Sequence, residues 1–180
     1  MIKSQKEIEK MKVAGQLAAE TLEMIDQYVK EGVSTGELDD ICHDFIVNEI
    51  NCIPACLNYK GYPKTICTSI NQVICHGIPD HKKILKDGDI MNIDVTVIKD
   101  GYHGDTSKMY FIGNKKPHAE RLVRITQESM DKGILSGARH SMNIHISAIN
   151  QSPKSTSKCF LCFSFGREHI PFRHRQTFIG

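Results

Sequence analysis

Apolar positions along the first three-quarters of the chain follow two different periods. Ile8, Met11, Leu17, Ala18, Leu22, Ile25 and Val29 recur at helical intervals and mark one face. Ser4 followed by Glu7 is a capping box that starts this helix, and Gly32 follows its end. Ser34 with Glu37 repeats the start signal, and Leu38, Ile41, Phe45 and Ile46 give a second helix its inward face. Pro117 introduces a third helix over 118–134, whose Leu122, Ile125 and Met130 are expected in the core. Between the second and third helices the period shortens to two. Strands are expected over 65–70 and 73–75, and a hairpin over 88–112.

The hairpin makes the sharpest geometric prediction. Asp100-Gly101 favours a two-residue loop with both residues at positive φ. Lys99 then pairs with Tyr102, and Thr96 falls opposite Asp105. Side chains alternate along a strand, so Asn92, Asp94 and Thr96 share one face while Met91, Ile93, Val95 and Val97 share the other. Asp105, with His103, therefore lies on the face of Asp94, diagonally across at a backbone distance of about 7–8 Å. Two carboxylates this close repel and need a shared proton, a cation or free solvent. By spacing alone, the pair fits a solvated outer face as well as it fits a cation site.

Length and composition bound the classes. The 180 residues suit one domain, and a 40% hydrophobic content can build a core. A net charge of +2 points to no acidic partner, and DNA is not expected as one. The first residues, Met1-Ile2-Lys3-Ser4-Gln5-Lys6-Glu7, carry no apolar leader, and no apolar run reaches membrane-spanning length. Seven cysteines, an odd number, fit reduced thiols in the cytoplasm better than a disulfide framework.

The words around the acidic pair narrow the reading. Asn92-Ile93-Asp94-Val95-Thr96 and Gly104-Asp105-Thr106-Ser107 resemble the type I methionine aminopeptidases. So do Glu9-Lys10-Met11-Lys12-Val13-Ala14-Gly15, Cys56-Leu57-Asn58-Tyr59-Lys60-Gly61-Tyr62-Pro63-Lys64 and Asn71-Gln72-Val73-Ile74-Cys75-His76-Gly77-Ile78-Pro79. The resemblance covers about 8–134, in order and in register. It implies an α+β, pita-bread architecture, of which this stretch is the N-terminal half: helices packed on a curved antiparallel sheet. It implies two divalent metal ions (Co, Mn, Fe or Zn), with Asp94 a bidentate ligand of one and Asp105 bridging both. His76 matches a catalytic histidine that contacts the substrate. Cys56, Tyr59, Tyr62 and Cys67 match the wall of a methionine pocket, where sulfur and aromatic surface suit a thioether. Asn71 and Val73 match a loop that holds a monovalent cation. Lys60 stands where family members often have histidine. The implied activity is removal of the N-terminal methionine of nascent proteins by a cytoplasmic monomer that visits the ribosome transiently. A second reading is a non-catalytic peptide- or ribosome-binding protein on the same scaffold.

From about residue 135 the character changes. Residues 136–180 hold six Lys+Arg and one acid, Glu168, whereas the preceding part holds 17 basic and 20 acidic residues. Apolar residues such as Ile144, Phe160 and Phe165 keep no sustained period. The histidine of the family's Gly-His-Gly-Ile-Gly run and its two glutamate ligands cannot be placed on this chain. We therefore expect 1–134 to be half of a catalytic domain, 135–180 to be a poorly ordered basic tail, and the chain alone to be inactive. Three origins compete for the tail: a nucleic-acid-binding extension, a zinc site at Cys159-x-x-Cys162 with His169 and His174, and an out-of-frame translation, which is the leading expectation.

Overall fold

The structure, a computed structural model, describes residues 2–140, with side chains through residue 136. The expectations for the tail lie outside these residues from 141 onward. Helix α1 (Gln5–Ile25) starts at Ser4, whose Oγ accepts from Glu7 N at 3.4 Å while Glu7 Oε2 accepts from Ser4 N at 2.7 Å. Such caps contribute about 1 kcal/mol. Ala14, Ala18, Leu22 and Ile25 form its buried face. The helix stops at Ile25 and passes into a single 3₁₀ turn (Asp26–Tyr28), so Val29 lies beyond the helix on which it was expected. Helix α2 (Thr35–Asp44) starts the same way, with Glu37 Oε2 accepting from Ser34 N at 2.8 Å. It runs on into a π turn (Phe45–Glu49) and buries Leu38, Cys42 and Ile46.

Among the described residues four antiparallel strands follow: β1 (Ile53–Pro54), β2 (Cys67–Ile70), β3 (Ile90–Lys99) and β4 (Tyr102–Phe111). β3 is the centre. β4 lies along one edge of it, while β2 and β1 share the other, β2 beside its start and β1 beside its end. The β3–β4 register is the expected one, with Lys99 opposite Tyr102 and Thr96 opposite Asp105. Asp100 (φ 50°) and Gly101 (φ 81°) adopt the left-handed conformation that this turn requires.

Helix α1 lies across β3 and β4. Its approach is closest at Gly104, where an added Cβ would sit 2.0 Å from the Ala14 carbonyl oxygen. Met91, Ile93, Val95 and Val97 are fully buried against it, together with Leu22, Ile25, Leu38 and Ile46. Each such side chain contributes about 1.5–3 kcal/mol. A half-buried ion pair ties strand to helix. Lys108 Nζ lies 2.6 Å from both Asp26 oxygens, and Tyr110 Oη donates to Asp26 Oδ1 at 2.8 Å.

Two further expectations fail. Residues 73–75 form no strand: Val73 and Ile74 are exposed in a loop. The loop is pinned to β2 at Gly77 instead, where Thr68 N donates to Gly77 O at 2.8 Å and Gly77 N donates to Ser69 Oγ at 3.2 Å. A Cβ on Gly77 would meet Thr68 O at 2.1 Å, so the close approach requires glycine. Helix α3 (Pro117–His140) forms and passes residue 134 without a break, but its stripe is not core. Leu122 and Ile125 are 59% and 42% exposed, and among the side chains described on this helix only Ala119 is buried. Periodicity marks an amphipathic face; it does not supply the surface that covers it.

Candidate functional site

The side chains on the face of the sheet away from α1 come from β2, β3 and β4. Alternation puts Asn92, Asp94 and Thr96 there from β3, and His103 and Asp105 from β4. Cys67 joins them because it stands directly opposite Asp94. The turn before β2 is held by Asp39, a buried carboxylate on α2. Its Oδ1 accepts from Thr65 N (2.8 Å) and Ile66 N (3.0 Å), and Lys64 lies 3.3 Å from Oδ2. After β1, Ala55 N donates to Thr96 O at 2.9 Å, which brings Cys56 beside Thr96. The structure therefore assembles Asp94, Asp105, Cys56 and Cys67 on one face. Asp39 was missed by the sequence reading, since nothing local distinguishes it from the exposed Asp40 beside it.

Electrostatics set the acidic pair apart. Burial, then the neighbouring Asp105 charge, pushes the Asp94 carboxyl up to about 7. Asp105 is also raised, because burial outweighs the Thr96 hydroxyl that bonds it and the nearby His103 and His76. Near neutral pH the pair thus holds a proton between its two carboxyl groups, unless a cation takes its place. Beside it, the Cys56 thiol is pushed up by its hydrogen bond to Cys67 and by burial. Burial chiefly raises the Tyr62 hydroxyl, whose oxygen lies 3.0 Å from Ile66 O and 3.1 Å from Gly77 O. The five described cysteines are all free thiols.

The other predicted residues lie in turns and loops outside the long strands. His76 is exposed at φ 54°, directly before the pinned Gly77. Tyr59 is 55% exposed on a turn where Asn58 and Lys60 are both left-handed, and the Lys60 ammonium stands 5.5 Å from its ring centre. Asn71 shapes the turn towards β3: its Oδ1 accepts from Ile90 N at 3.1 Å and its Nδ2 donates to Asp89 at 2.8 Å. Val73 N donates to Ile70 O at 3.0 Å. A depression of about 530 Å³ between the ends of α1 and α2, lined by Tyr28, Asp40, Asp44 and Phe45 among others, contains none of these residues.

The acidic pair suits a divalent metal ion in charge and in donor type, because hard carboxylate oxygens neutralise such an ion and are relieved of their mutual repulsion. Among the described residues no group of three or more His, Cys, Asp or Glu is placed to hold a metal. The pair therefore fits two ligands of a metal centre and does not complete one.

Helices packed on one side of an antiparallel sheet, with two acids on the other, agree with what the sequence matches. Residues 9–151 match Metallopeptidase family M24, and the chain belongs to that family. Its fold is the N-terminal half of the pita-bread architecture. Within the family it is similar to methionine aminopeptidases: 68% identical over 129 residues to that of Escherichia coli K12, covering 72% of this chain and 49% of the relative. It is 58% identical over 134 residues to the methionine aminopeptidase of Haemophilus influenzae, covering 74% and 50% of the two chains. The crystal structure of methionine aminopeptidase from Rickettsia prowazekii superposes with a TM-score of 0.72 at 56% identity, over 74% of this chain and 53% of that one. The chain thus spans about half the length of the curated relatives it matches. No helix among the described residues is long and apolar enough to cross a membrane.

Proposed function

We propose that this chain forms one wall of a metal-dependent aminopeptidase site that removes the N-terminal methionine of nascent proteins. The observation that carries the reading is the Asp94–Asp105 pair. Two adjacent strands bring both carboxylates to one half-buried face at the cost of raised pKa values, a cost that a bound cation reverses. Asp94 and Asp105 would hold the divalent metal (Mn, Fe, Co or Zn). When bound, that metal supplies a polarised scissile carbonyl and an activated water. Cys56, Cys67 and Tyr62 would bound the methionine side chain, with Tyr59 at the rim. His76, held out by the Gly77 clamp, would hydrogen-bond the substrate peptide near its first amide. Asn71 and Val73 would hold the monovalent cation through oxygens not spent on the turn. The setting is cytoplasmic, the chain monomeric and its contact with the ribosome transient.

Two carboxylates hold an ion weakly, so the 180-residue chain by itself is expected to release no methionine from Met-Ala-Ser with Mn(II) or Co(II). Metal binding tests the reading without turnover. Calorimetry should detect Mn(II) or Co(II) binding that the Asp94→Asn/Asp105→Asn variant loses. Unchanged binding in that variant would remove both residues from the site. The non-catalytic reading draws on the small number of donors and the exposed His76. It predicts instead that Met-Ala-Ser binds equally well with and without metal.

A further inference from the structure

Strands β1 and β2 lie end to end along one edge of β3. Ile53 and Pro54 stand opposite Ile98 and Val97, and Ala55 N donates to Thr96 O at 2.9 Å. Cys67, the first residue of β2, stands opposite Asp94. The chain therefore leaves this edge after Ala55 and returns to it at Cys67, with Val95 the one residue of β3 between the two pairings. Strand residues rise about 3.3 Å each, which puts Ala55 and Cys67 about 7 Å apart. Cys56 follows Ala55 into that gap, so Cys56 and Cys67 close the base of the excursion over 57–66. Their thiols share a hydrogen bond. Register and contact together place the two residues within the Cα separation of about 4–7 Å that a disulfide spans. Cys56 is partly exposed and Cys67 lies behind it, 4% exposed. The other described thiols are placed differently. Cys42 is sealed in the core, Cys52 Sγ donates to Ile50 O at 3.6 Å, and Cys75 is exposed in the loop before Gly77.

We propose that Cys56 and Cys67 form a reversible oxidation site, at which hydrogen peroxide links the two thiols into an intramolecular disulfide. One sulfur takes an oxygen from the peroxide, giving a sulfenic acid, and the other peroxide oxygen leaves as water. The second sulfur attacks the first, the S–S bond forms, and the sulfenic hydroxyl leaves with the second thiol's proton as another water. Two thiols thus lose two electrons and two protons, and one hydrogen peroxide is reduced to two waters. A dithiol reductant reverses the step by thiol–disulfide exchange. The bridge pins the base of the segment that carries Tyr59 and Tyr62, and removes two S–H groups from the face that holds Asp94. Under the aminopeptidase reading, oxidation would stiffen and reshape the methionine wall. The bond itself rests on the strand pairing and the thiol contact, not on that reading.

The test treats the reduced 180-residue chain with an equimolar amount of hydrogen peroxide, caps the remaining thiols with N-ethylmaleimide, and maps the tryptic peptides by tandem mass spectrometry. Peptide 31–60 should appear bonded to peptide 65–82 through Cys56 and Cys67, and dithiothreitol should separate them. The link should form at least tenfold faster in the folded chain than in urea. Cys67→Ser should keep the circular dichroism of the parent, lose the link and leave a Cys56 sulfenic acid that dimedone traps. Cys56→Ser should lose the link as well, and Cys75→Ser should keep it. A link that forms as fast in urea, sulfurs that join Cys52, Cys75 or peptide 159–167 instead, or a treated chain in which both thiols still react with N-ethylmaleimide would each overturn the proposal. Such a failure leaves the aminopeptidase reading standing, because that reading falls only with metal binding at Asp94 and Asp105.

Discussion

The two faces of the β3–β4 hairpin are made by the same twenty residues in strict alternation, yet they differ in kind. On the α1 side, Met91, Ile93, Val95 and Val97 are fully buried, Gly104 touches helix backbone, and Lys108 and Tyr110 find Asp26. On the other side, Asp94 and Asp105 are half-buried with raised pKa values, and Ser107 is exposed. One face is closed and stabilises the fold. The other holds two carboxylates close together at a cost in stability, which the closed face offsets.

That contrast can be broken from the closed side first. Gly104→Val should have the largest effect, because a branched side chain must displace the α1 backbone at Ala14. Overpacking costs about 1–3 kcal/mol where neighbours can yield, and more here, where the neighbour is a helix carbonyl. Thermal melting should show loss of the cooperative transition or a large fall in Tm. Ile93→Ala empties a fully buried site and should cost about 2–5 kcal/mol in a urea titration.

The open side should respond with the opposite sign. An Asp whose folded pKa is about 7, against about 3.9 unfolded, binds its proton more tightly when folded. The stability it lends is present below about pH 4, falls as the pH rises, and is gone above about pH 7. Melting the metal-free chain from pH 4 to pH 8 should show this decline, and Asp94→Asn/Asp105→Asn should flatten it and raise Tm at pH 8. A variant that melts lower than the parent at pH 8 would show that the pair is not under strain. The smallest change is expected for Ser107→Ala, exposed on the open face beside Asp94's strand, which should stay within about 0.5 kcal/mol.

The features legible in the sequence are those fixed by short-range signals. Both capping boxes and the hairpin register follow from residues three or four apart, and the register alone put Asp105 on the face of Asp94. Local signals failed where distant groups decide. Val73-Ile74-Cys75 has the composition of a strand, but the clamp between Gly77 and β2 holds that segment as a loop. β1 is two residues long and contains a proline, too little to read. Asp39 is an ordinary helix aspartate until the turn before β2 folds onto it. The Leu122 and Ile125 stripe was read correctly as amphipathic and wrongly as core, since a sequence period says which face is apolar and not what it meets.

The Asp100–Gly101 turn has a consequence for how such a chain can change over generations. It sets the parity of the hairpin. A single residue passed into the β4 ladder would turn Asp105 towards α1 and put a side chain where Gly104 now admits the Ala14 carbonyl. The acidic pair and the packed helix would be lost in the same step, leaving no intermediate that folds without the site. Insertions at this hairpin can therefore survive only where the loop absorbs them, because even a two-residue shift would bring Tyr102 to the place of Gly104. The register of the two aspartates is thus protected by the demands of folding alone.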